Sequence, residues 1–109
     1  MKVTCGGRTL AADVRTADDF FSRFLGLMGR RELPPGGGLL LRRCASIHCF
    51  FMCFTIDAVY LDGDMRVVGT ETLAPWRVGH IFRGVRHVLE LPAGAAAGLS
   101  AGDTLHTEI

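Results

Sequence analysis

Four residues able to bind a metal or act as nucleophiles fall in one short stretch, Cys44, His48, Cys49 and Cys53. Thiolates and imidazole are the ligands that zinc and similar ions take. The spacing C-x3-H-C-x3-C lacks the paired C-x2-C of a zinc knuckle. On an extended strand Cys44 and His48 face one way and Cys49 and Cys53 the other, so the four cannot converge. That leaves Cys44 and His48 as the nucleus of a zinc-like site needing help from His80, His87 or His106. Thiol catalysis meets the same obstacle, because a base must touch the sulfur it activates and strand neighbours such as His48 and Cys49 point apart. On a strand, Cys49 and Cys53 would stand roughly 13 Å apart, too far for a disulfide. The thiols of Cys5, Cys44, Cys49 and Cys53 read as small apolar fillers of a β core.

Two further features carry binding chemistry. Asp57 is a lone carboxylate among Ile56, Ala58, Val59 and Leu61. Such a group needs donors, either as an anchor in a ligand pocket or as a tie from a strand end to a neighbouring turn. Trp76-Arg77, followed by His80, Arg83 and Arg86, places an aromatic beside cations on a glycine-containing connection, suited to stacking a ring or holding an anionic group. The expected ligand surface therefore combines His48, Asp57, Trp76 and Arg77. Its alternative use for Trp76 is as a plug at one end of a barrel.

The elements that must position these residues are mostly strands. Lys2–Cys5 and residues 8–15 flank Gly6-Gly7, a hairpin dipeptide. Phe20, Phe21, Phe24, Leu25 and Met28 form a stripe at helical period, which predicts one short amphipathic helix over 17–29 with Thr16 as its N-cap. Pro34-Pro35 and Gly36-Gly37-Gly38 read as a loop; without a following Lys-Ser/Thr the glycines are no phosphate cradle. Leu39–Leu41 is a strand, as are the apolar run before Phe54, Ile56–Leu61, Met65–Leu73, Val85–Leu91 and the last residues. A turn at Asp62-Gly63-Asp64 separates two of these, and an alanine-rich helical turn lies near residue 96. The sum is one domain, 1–109, mainly β: a compact antiparallel sandwich or partly closed barrel of seven or eight short strands.

Three segments in order, F-L-G-L-M-G-R (24–30) with the following G-G-L-L-L, S-I-H-C-F-F-M-C-F-T-I-D-A-V-Y-L-D (46–62), and V-L-E-L-P-A-G with a later G-D, resemble the domain of unknown function 192 (DUF192) family, as does L-A-P-W-R (73–77). The resemblance implies a small mainly β domain with no settled biochemical activity. Members often carry an export signal and a Lys or Arg after the aromatic–methionine pair; here Cys53 occupies that basic position.

Composition limits the partners. Twelve basic and eleven acidic residues leave a formal charge of +1, so no overall field attracts nucleic acid. Eleven of the twelve basic residues are arginine, with Lys2 alone. The start, M-K-V-T-C-G-G-R, has no apolar signal stretch and no run reaches membrane-spanning length, which makes the cytoplasm the expected compartment and free thiols the expected redox state. No reaction is specified. The reading is a non-enzymatic binding or interaction domain without a cofactor, its partner a small ligand or another protein. The alternatives are the Cys44–His48 metal or thiol protein and a structural domain that pairs through a sheet edge.

Overall fold

A computed structural model describes residues 1–17, 33–44 and 54–109. Eight strands are present: β1 (Lys2–Cys5), β2 (Arg8–Ala11), β3 (Asp13–Ala17), β4 (Gly37–Arg42), β5 (Ile56–Leu61), β6 (Val67–Leu73), β7 (His87–Pro92) and β8 (His106–Glu108). They form two sheets, ordered β2-β1-β8 and β3-β4-β7-β5-β6. No helix occurs among the described residues, and the helix expected at 17–29 falls outside them except for Ala17. Thr16 is no helix cap: it lies in β3, opposite Leu40.

The local reasons are visible in the turns. Gly6 and Gly7 both take positive φ (56° and 82°), so Cys5 and Arg8 pair directly across a two-residue turn whose twist suits a hairpin. Asp62 accepts hydrogen bonds at Oδ1 from the backbone N–H groups of Asp64 and Arg66, at 2.8 and 2.9 Å, fixing the turn between β5 and β6.

The segment 8–15 is not one strand. The chain bends at Ala12, whose N–H, like that of Asp13, donates to the carbonyl of Gly36 at 2.9 and 3.0 Å. There it leaves the small sheet and enters the large one, a corner of the kind that joins packed sheets. The expected all-antiparallel pairing also fails at one place, since β3 and β4 are parallel. The glycine triplet is only partly a loop: Gly36 turns with φ 78°, while Gly37 and Gly38 belong to β4. A Cβ on Gly38 would stand 3.1 to 3.3 Å from Leu91, the Glu90 carbonyl and Val14, so strands approach here as only glycine permits.

The large sheet carries a core on each face. On one, Val59, Leu61, Leu89, Leu91 and Leu40 meet Val3, Leu10, Val14 and Leu105. This is the interior of a two-sheet sandwich. On the other face, Ile56, Ala58, Tyr60, Val88, Leu39 and Leu41 form a second cluster with Leu33, Leu73 and Val85. All six residues of β5 are buried, which is why its apolar residues do not alternate. The sheets do not close into a barrel.

Candidate functional site

The sequence placed His48, Asp57, Trp76 and Arg77 on one surface. His48 lies outside the described residues, as do Cys49 and Cys53. The structure does not bring Asp57 to the other two. Alternation along β5 turns Asp57 toward the sandwich interior, with Val59 and Leu61. There its Oδ1 accepts from the Thr72 hydroxyl at 2.8 Å, and its Oδ2 accepts from the backbone N–H groups of Gly94 and Ala96 at 2.9 and 3.0 Å. Asp57 thus ties a strand end to the turn after β7, with both oxygens engaged.

Trp76 and Arg77 belong to the connection 74–86, which crosses the opposite face. Glu71 on β6 is its anchor. The Glu71 carboxylate accepts from the Tyr60 hydroxyl at 2.6 Å and from the His80 backbone N–H at 2.7 Å, and it meets His80 Nδ1 at 2.7 Å. Burial pushes the Glu71 carboxyl up, but the hydrogen bonds from Tyr60 and His80 outweigh it and leave the group below its ordinary value. Further along, Phe82 lies on Gly69 and stacks obliquely on Tyr60, ring centroids 4.8 Å apart. A side chain at residue 69 would meet the Phe82 ring at 2.8 Å; the glycine is the seat of the ring. Val85 enters the core, and the Arg86 carbonyl accepts from Cys44 N–H at 2.9 Å.

The outer side of this connection is apolar. Trp76, Val78 and Ile81 are 59, 63 and 83 % exposed. Ala74 to Arg77 form a turn closed by the Arg77 N–H on the Ala74 carbonyl at 3.3 Å, with Pro75 second and Trp76 third at φ 66°. A turn of this kind ordinarily takes glycine third. A tryptophan held there is a strained residue, of a sort that clusters at sites of recognition.

Sequence reasoning missed Glu90. It lies in the middle of β7, between Leu39 and Ala58, and is 5 % exposed. No hydrogen bond reaches its carboxyl from the described residues, and burial pushes its pKa up to about 8. The available signal was V-L-E-L-P, a carboxylate in a strand with apolar residues on both sides. Cys44 is half-buried against the same face, and no group of three His, Cys, Asp or Glu side chains among the described residues could share an ion.

The family model described as DUF192, "Uncharacterized ACR", matches residues 1–107. The chain belongs to the DUF192 family. A UPF0127 protein of Pyrococcus horikoshii is 42 % identical over 89 residues, covering 75 % of this chain and 74 % of the relative. One of Pyrococcus furiosus is 37 % identical over 108 residues, covering 91 % and 90 %. A crystal structure of a protein of unknown function from Novosphingobium aromaticivorans shares the fold at TM-score 0.82 and 23 % identity, over 97 % of this chain and 82 % of that one. Another, from Sinorhizobium meliloti and described as a candidate transcription regulator, has TM-score 0.77 and 28 % identity over 96 % and 89 %. The DUF192 fold is thereby established, and among the described residues no helix is long and apolar enough to cross a membrane.

Proposed function

We propose that this DUF192 domain is a non-enzymatic interaction module that recognises an acidic, apolar peptide segment through the connection 74–86. The observation that carries the reading is the contrast between the two sides of that connection. Its inner side is fixed by Glu71, Phe82 and Val85, while its outer side presents Trp76, Val78 and Ile81 to solvent. A rigid loop with an apolar crest is a common form of binding surface. The segment contains Arg77, Arg83 and Arg86 and neither Asp nor Glu, so an acidic partner is the complementary one.

Trp76 is the protein's single tryptophan, which makes indole fluorescence a direct reporter. Titration with peptides that combine Leu or Phe with Asp or Glu is expected to give a saturable spectral shift. Trp76→Ala should lose the binding, followed by calorimetry, while keeping the thermal midpoint. Peptides of the same apolar content with Lys in place of the acids serve as the charge control. Saturation with duplex DNA alone, or equal response to acidic and basic peptides, would overturn the reading.

A further inference from the structure

β6 is an edge strand of the large sheet, with β5 on one side and no strand of the described residues on the other. Register shows which of its backbone groups face outward. Val67, opposite Leu61, turns away from β5: its N–H donates to the Asp103 carbonyl at 2.7 Å and its carbonyl accepts from Gly102 N–H at 2.8 Å. Thr70 and Thr72 stand opposite Val59 and Asp57, which follow Leu61 at every second position of β5. Alternate positions of an antiparallel ladder point the same way, so Thr70 and Thr72 also direct their N–H and carbonyl groups outward. Both residues are exposed, and no backbone group among the described residues bonds to these outward groups.

The open stretch is bounded at both ends. At Val67 it is closed by the 102–103 segment, and past Leu73 the Ala74 carbonyl is taken by Arg77 N–H in the turn of Trp76. It has room for a strand of about five residues and runs directly into the connection 74–86.

A second copy of β6 is a poor occupant. The two-fold pairing that uses both threonines sets Thr70 against Thr72 of the copy, and so Glu71 against its own equivalent. Like charges directly opposite one another oppose pairing. With the axis at Thr70, Thr72 would face Val68, which lies in the bulge of β6; with the axis at Thr72, Thr70 would face Ala74, whose carbonyl is taken. A segment of another protein escapes the conflict, because it can carry an uncharged residue opposite Glu71.

We propose that β6 docks an extended peptide as an added strand of the large sheet, its main chain exchanging hydrogen bonds with Thr70 and Thr72 and an uncharged side chain lying opposite Glu71. Its occupant is the acidic, apolar segment of the reading above, on which this docking rests. Main-chain bonds to a sheet edge supply affinity, and side chains at alternate positions supply selectivity.

The test uses the full chain and a peptide of about seven residues, alternating Leu and Thr with Asp at each end. On saturation, hydrogen exchange followed by NMR is expected to slow at least tenfold at the Thr70 and Thr72 amides. It should stay unchanged at Glu71, whose amide already faces β5. N-methylation of one alternate set of peptide residues should abolish binding, while methylation of the other set leaves it. Thr70→Pro, at an edge position whose N–H bonds nothing in the sheet, should keep the fold and lose the peptide. If that variant does not fold, the methylated peptides decide. Protection of Thr70 and Thr72 with undiminished binding by Trp76→Ala would uphold the edge and overturn the role given to the connection 74–86. A saturable Trp76 signal without that protection would overturn the edge and leave the connection's role standing. No saturable binding would overturn both. A concentration-dependent dimer that Thr70→Pro disperses would give the edge to a second copy and overturn the proposal.

Discussion

Asp57 and Glu90 sit on neighbouring strands of one sheet, each 5 % exposed, and they face opposite sides of it. Asp57 receives three hydrogen bonds, two of them from backbone N–H groups of the turn after β7. Glu90 receives none from the described residues, and its carboxyl is pushed up to about 8. Equal burial therefore produces opposite roles. Where donors are built around it, a buried carboxylate is a structural tie; where they are lacking, it is a proton-binding group whose ionisation opposes folding.

The largest expected effect comes from removing the tie. Asp57→Ala leaves the Ala96 and Gly94 N–H groups and the Thr72 hydroxyl without their acceptor, and should cost about 3–5 kcal/mol in urea unfolding. A loss under about 1 kcal/mol would mean that water replaces the carboxylate and that the contrast with Glu90 is false.

Glu90 should behave with the opposite sign. A carboxyl raised in the folded state binds its proton more tightly there than in the unfolded chain. Its contribution to stability is thus complete below about pH 4.5 and is lost as pH rises through about 8. Glu90→Met should flatten that slope and raise stability at pH 9 by roughly 2–4 kcal/mol. Parallel pH–stability curves for the two proteins would show that Glu90 does not titrate in this window.

A third carboxylate sharpens the comparison. Glu71 keeps its donors at the sheet's edge, and Tyr60→Phe removes one of them. The expected loss is about 1–2 kcal/mol, with the Glu71 pKa, read by carboxyl NMR, moving back up toward 4.5. Thr72→Val, which leaves Asp57 its two backbone donors, should have the smallest effect, about 0.5–1.5 kcal/mol in the same urea assay.

These residues also mark what could be read without coordinates. Asp57 stood out because one carboxylate interrupts an apolar run, and its role as a tie was among the readings that composition allowed. Glu90 carries the same signal in V-L-E-L-P, in the middle of β7. Its isolation depends on Leu39 and Ala58, which arrive from strands distant in sequence. The hairpin at Gly6-Gly7 and the covered strand Ile56–Leu61 were legible because their causes are local. The parallel pairing of β3 with β4 and the change of sheet at Ala12 were not, because an alternation pattern identifies a strand and says nothing about its neighbour. The connection 74–86 was recognisable as irregular from Pro75 and Gly79. Its anchor was not, since Glu71 and His80 meet only once the chain has folded back.

The pairing of β1 with β8, Lys2 opposite Glu108, has a consequence for synthesis. β1 waits for β8, so the small sheet cannot be completed until residues 106–108 have left the ribosome. During that interval the edge of β1 that β8 will occupy is open to any other extended chain. Most contacts among the described residues bridge distant parts of the sequence, a topology that is expected to fold slowly for its size.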